Sequence, residues 1–150
     1  MATSSAEGPD LAMLAHRLTG ALQRALRQAQ ADDGDSVIGP RHRAVLICLA
    51  PTGSRAVDVA RESGQHKQVV GTLVDDLEKG GYIRRQPDPV DRRGKLIVPT
   101  ALGLEQVART KALMAAIEDD IVAALGAQRY RDFKLTCERV VKILTDDGTE

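Results

Sequence analysis

The chain has 150 residues, 43% of them apolar, which suits one globular domain with room for additional helices. Tyr82, Tyr130 and Phe133 are its only aromatic residues, so the core must be aliphatic, and stacking on nucleic-acid bases is a poor fit. Its 21 basic residues balance 21 acidic ones, no apolar run reaches membrane-spanning length, and no charged start precedes a hydrophobic leader, so a cytoplasmic location with no membrane partner is expected.

Residues 1–9 are small and polar and end in Gly8-Pro9, the composition of a disordered lead. Leu11, Leu14, Leu18, Leu22 and Leu26 then recur at steps of three and four, which predicts an amphipathic helix over about 10–31. Its other face carries Arg17, Arg24 and Arg27, read as solvated. The run Asp32-Asp33-Gly34-Asp35-Ser36 breaks this helix. Gly39-Pro40 starts a second, Arg41–Ala50, because proline suits a first helical position. Val45, Leu46 and Leu49 are its core residues, and Pro51-Thr52-Gly53 ends it.

A third, short helix is predicted at about 56–62, using Val57, Val59 and Ala60. Gly64 supplies the permissive backbone of a turn. The fourth helix, about Gln65 to Lys79, buries Val70, Leu73, Val74 and Leu77 and leaves Lys67, Gln68, Gly71, Thr72 and Asp75 on the other side. Gly80-Gly81 terminates it. Tyr82–Gln86 reads as a strand; Pro87 and Pro89 then forbid regular structure, Asp91-Arg92-Arg93-Gly94 makes a tip, and Lys95–Pro99 returns as the paired strand. Two strands alone are marginal, so this hairpin must lean on the helices. Thr100 is a suitable N-cap for a fifth helix, about 101–125, with Leu104, Val107, Met114, Ile117, Ile121 and Leu125 along one side. After Gly126 a sixth helix, about 127–145, spaces Tyr130, Phe133, Cys137, Val140, Val141 and Leu144 on one stripe. These end helices carry more apolar stripe than one small module needs, which suggests a dimerisation part.

The order helix, turn, helix, hairpin is a winged helix-turn-helix, mainly α with a small β-hairpin. Units of this kind place their second helix in the DNA major groove. Residues 79–95 hold six Lys or Arg against two Asp, a local basic patch able to meet phosphates on a neutral chain. Gln68 and Thr72 are candidates for base contacts, since Gln can pair bidentately with adenine; Val69 would either touch a thymine methyl or pack in the core. His66 and Lys67, at the helix start, suit phosphate.

No phosphate-binding loop, dinucleotide turn, metalloprotease motif or nucleophile elbow is present. His16, His42 and His66 fall on three different predicted helices without zinc-ligand spacing, so neither metal, cofactor nor catalysis is expected. Cys48 and Cys137 match no redox or metal spacing and read as small buried hydrophobes.

The run Val74-Asp75-Asp76-Leu77-Glu78-Lys79-Gly80-Gly81-Tyr82-Ile83, followed by Asp91-Arg92-Arg93 and by Val98-Pro99-Thr100-Ala101-Leu102-Gly103, resembles the MarR family of bacterial regulators. The likeness covers nearly the whole chain in element order and is most specific over 73–103. It implies a single MarR-like domain over 1–150, in which helices 10–31 and 101–145 dimerise and 40–100 bind DNA. It further implies a homodimer on a pseudo-palindromic operator, a repressor relieved by a small aromatic ligand. By position, Arg93, beside Arg92, is the wing arginine that enters the minor groove, and Asp91 is the acid that orients the wing arginines. A guanidinium suits a narrow, electronegative groove. Oxidant-sensing relatives carry a cysteine near the start of the first helix, and this chain has none there. Asp75-Asp76 depart from what a helix approaching a polyanion needs: they either face the protein or lower its affinity. That pair and the zero net charge motivate an alternative, a winged-helix module for protein association without specific DNA binding.

Overall fold

The computed structural model describes residues 8–31, 38–91 and 93–146; the lead over 1–7, the break at 32–37, Arg92 and the acidic end at 147–150 lie outside the described residues. The elements are α1 (Leu11–Ala31), α2 (Pro40–Ile47), β1 (Ser54–Arg55), α3 (Ala56–Ser63), α4 (Lys67–Lys79), β2 (Ile83–Pro87), β3 (Lys95–Pro99), α5 (Ala101–Leu125) and α6 (Ala127–Asp146). They group into two compact units, one ending at Lys111 and one starting at Ala112.

In the first unit α2, α3 and α4 enclose an aliphatic core closed by the sheet. Val70, Leu73, Val74 and Leu77, at i, i+3, i+4 and i+7, form the fully turned-in side of α4. They meet Val45, Leu46 and Leu49 from the α2 segment, Val59 of α3, and Ile83 and Ile97 of the strands. Val57, expected inside, is 56% exposed. The inward side of α3 is instead Ala56, Val59 and Ala60, because residue 57 lies across the helix from residue 59. Gly64 ends α3 in the left-handed conformation, φ +65°, as the turn required.

The hairpin is part of a sheet ordered β1-β3-β2, with antiparallel pairing throughout. β3 pairs Ile97 with Ser54 on one side and with Arg85 on the other. The short β1 was not foreseen. Pro87, expected to forbid regular structure, instead forms the last residue of β2 and pairs with Lys95. β2 is an edge strand, where a missing N–H is tolerated. α4 ends with Tyr82 N–H donating to Leu77 O at 2.9 Å and Gly81 N–H to Glu78 O at 3.0 Å, the paired bonds of a Schellman motif.

Thr100 caps α5 by accepting from Gly103 N–H at 3.2 Å, and its hydroxyl donates to Gly81 O at 2.6 Å. Gly103 is needed for close approach: a Cβ there would sit 2.1 Å from Tyr82 O. Among the described residues, two charged side chains are buried in this unit, Arg43 and Asp88.

The second unit comprises the later part of α5 together with α6. Lys134 Nζ reaches Glu118 Oε2 at 3.1 Å and lies 5.7 Å from the Tyr130 ring centroid. No described residue of α6 is buried; Phe133, Leu135, Val141, Ile143 and Leu144 are exposed. Cys137 is exposed as well, not a buried hydrophobe, because the stripe it shares with Phe133 and Leu144 has no cover in a single chain. Cys48 is half-buried, its thiol pushed up by burial and then by Glu62. No described helix is long and apolar enough to cross a membrane.

Candidate nucleic-acid interface

α4 has a packed side and a free side. His66 stands at its N-cap in an extended conformation, with no side-chain cap, so the first N–H groups of the helix stay open. His66, Lys67, Gln68 and Thr72 are exposed, and Gln68 and Thr72 sit one turn apart on the same side. The Thr72 hydroxyl donates back to Gln68 O at 3.4 Å. Val69 is half-buried and packs against the core, so little of it faces outward.

The two acids at the outer side of α4 each have a side-chain neighbour on another element. Asp75 Oδ1 accepts from Arg85 at 2.5 Å, and the same guanidinium bonds Glu78, whose other oxygen takes the Arg85 N–H at 3.0 Å. Burial works against the Arg85 charge, but the bonds to Asp75 and Glu78 outweigh it and raise its pKa above the ordinary arginine value. Asp76 lies 3.4 Å from His42 Nε2 of α2. Both acids nonetheless keep more than half of their side chains exposed, 58% for Asp75 and 51% for Asp76. The corollary is that Arg85, counted in the basic run, is spent on Asp75 and Glu78.

The wing loop between β2 and β3 is built on Asp88, whose side chain is 3% exposed. Its Oδ2 accepts from Arg55 Nε at 2.7 Å and Nη2 at 2.6 Å; its Oδ1 accepts the backbone N–H of Val90 at 2.8 Å and of Asp91 at 3.3 Å. The Val90 bond, followed by Arg55 working against the cost of burial, holds this carboxyl below the usual aspartate range. Asp91 touches Arg93 through the backbone rather than the guanidinium: its Oδ1 accepts Arg93 N–H at 3.0 Å, and its carbonyl accepts Gly94 N–H at 2.8 Å. Arg93 is exposed, with no side-chain partner among the described residues. Arg84 and Lys95 are exposed on the strands, and Arg92 is not described.

Asp88 was missed in the sequence, although its Pro-Asp-Pro setting is a turn signal. Arg43 was passed over too; buried on α2, it donates to Ile38 O at 2.8 Å, and its pKa is lowered by burial and then by Arg27. Among the described residues no cluster of His, Cys, Asp or Glu is placed to hold a metal ion.

A helix pair joined at a left-handed glycine, with a following hairpin against its core, defines a winged helix-turn-helix protein. Residues 39–94 match the model of the MarR family. A MarR-family transcriptional regulator from Rhodococcus sp. RHA1 superposes with a TM-score of 0.76 and 26% identity, over 91% of this chain and 96% of that one. CouR from Rhodococcus jostii RHA1, bound to p-coumaroyl-CoA, gives 0.76 and 26% over 98% and 100%. The stretch 39–94 is therefore MarR-like, and the chain as a whole shares the fold of these regulators. YcgE of Bacillus subtilis, an uncharacterized HTH-type transcriptional regulator, is 37% identical over 68 residues, covering 37% of this chain and 44% of that protein, so the match spans under half the length of that curated relative.

Proposed function

We propose that this chain is a homodimeric, sequence-specific DNA-binding repressor, located in the cytoplasm and released by a small aromatic ligand. The observation that carries the proposal is the outer side of α4. His66, Lys67, Gln68 and Thr72 are free to meet DNA, while Asp75, which would repel phosphate, is paired with Arg85, and Asp76 lies 3.4 Å from the His42 ring. In this reading Gln68 and Thr72 contact base edges, with a minor part for Val69. Lys67, His66 and the open α4 N-terminus meet phosphate. Arg93, with Arg92, enters the minor groove from a loop shaped by Asp91.

Dimerisation follows from what the single chain leaves uncovered. Leu11, Leu14 and Leu18 on α1, and Phe133, Val141 and Leu144 on α6, are all more than 40% exposed. Large apolar stripes of this kind mark association surfaces. Helices 10–31 and 101–145 then serve dimerisation and 40–100 the DNA. Two α4 helices about 34 Å apart would read successive major grooves of a pseudo-palindrome. The ligand reading draws on CouR, solved with p-coumaroyl-CoA. Such a ligand must prefer the free form over the DNA-bound one. The alternative, protein association without specific DNA binding, keeps the zero net charge as its motive, while the Arg85 pair offsets the charge of Asp75.

Hydroxyl-radical footprinting on the intergenic DNA upstream of the chain's own gene tests this. Two protected patches about one helical turn apart are expected; uniform or absent protection contradicts it.

A further inference from the structure

The wing loop and α3 are separated by an open cleft of about 510 Å³, lined by residues of both, including Asp58, Arg61, Glu62, Pro89 and Val90. Across it runs one ion pair, Arg55 to Asp88. Arg55 is the N-cap residue of α3 and the end of β1; Asp88 is the first residue after β2. The carboxylate is fully used, with two guanidinium donors on one oxygen and two backbone donors of the loop on the other. The Asp88 N–H also donates to Gly94 O at 3.0 Å, which closes the base of the loop. Val90, in contrast, is 87% exposed, so apolar packing contributes little to holding the tip.

We infer that Arg55 and Asp88 are positioning residues for the wing: their ion pair fixes the loop that carries Arg93 against the start of α3, so that wing and helix pair meet DNA as one body. Neither residue need touch DNA to act this way. The inference rests on the DNA-binding reading above. A loop held only at its strand ends would sample many orientations, and ordering it on binding would cost affinity. The tether removes part of that cost beforehand.

The chemistry allows the tether to be cut without dismantling the turn. In Asp88→Asn the amide oxygen still accepts Val90 and Asp91 N–H, but the amide nitrogen faces the Arg55 guanidinium, donor against donor. Arg55→Gln cuts the tether from the other side. The test is fluorescence anisotropy of the full chain on a duplex carrying its own upstream DNA, for wild type, D88N, R93A and the D88N/R93A double variant, with R55Q in place of D88N if D88N fails to fold. A loss of about tenfold is expected for D88N, and little further loss when Arg93 is already absent, as coupled sites show. Hydrogen exchange in the free protein should speed up over 88–95 and leave α4 unchanged. An equal D88N loss with and without Arg93, or no loss at all, overturns the inference while the wild type still binds. A wild type that does not distinguish its own DNA from scrambled DNA overturns both this inference and the parent reading.

Discussion

Arg85 of β2 donates to Asp75 of α4 at 2.5 Å, joining the edge strand of the wing to the outer side of that helix. The pair is part-exposed, 27% and 58%, so its share of folding stability is small, roughly 0–1 kcal/mol. Its effect on DNA should be larger. Arg85→Met leaves the Asp75 and Glu78 carboxylates uncompensated toward phosphates, and a fall in affinity of about tenfold is expected. Asp75→Asn added to that variant should restore part of it. Anisotropy titrations check both; an unaffected R85M variant would show that these acids lie away from the DNA.

Gly103→Ala forces a methyl to within 2.1 Å of Tyr82 O, a backbone atom that cannot swing aside. Helix α5 must shift, and a loss of about 1–3 kcal/mol is expected, read as a lower urea midpoint. Gly71→Ala is the control: nothing lies within 4 Å of the added Cβ, and a helix interior should gain roughly 0.5–1 kcal/mol.

Acid should loosen the wing. The folded Asp88 carboxyl is held below its ordinary value, first by the Val90 N–H and also by Arg55. The bound carboxylate therefore adds stability above the unfolded pKa, and that contribution is lost as pH falls through the lower, folded one. Backbone amide shifts of Val90 and Asp91 should titrate together with a midpoint below the usual aspartate range. D88N should abolish that step. A midpoint at or above the ordinary value would contradict the assignment.

The two thiols test the proposed dimerisation. Cys137 is exposed in the single chain on the Phe133–Leu144 stripe, whereas burial raises the Cys48 pKa and so starves it of thiolate. Maleimide should label Cys137 faster as the protein is diluted, with Cys48 slow throughout. Concentration-independent labelling of Cys137 would mean that this stripe is not the shared face.

Much of this was legible in the residues. The Val70, Leu73, Val74, Leu77 spacing located α4, Gly64 the turn, and Thr100 the cap of α5, because each rule acts within one or two turns of chain. The pairing of Asp75 with Arg85 and of Asp88 with Arg55 was not, because both join segments that only the tertiary fold brings together. β1 is two residues long, too short for any periodicity to show. Cys137 misled because an apolar stripe reads alike whether its cover comes from the same chain or from another.

The most direct measurement is the affinity of wild type and Arg93→Ala for the upstream duplex and for a scrambled one, at moderate salt. A strong wild-type preference for its own DNA, and an R93A loss of about 1–3 kcal/mol with a slightly shallower salt slope, is the expected result. Equal affinity for both duplexes, with R93A indistinguishable from wild type, would contradict a DNA-reading role for this fold.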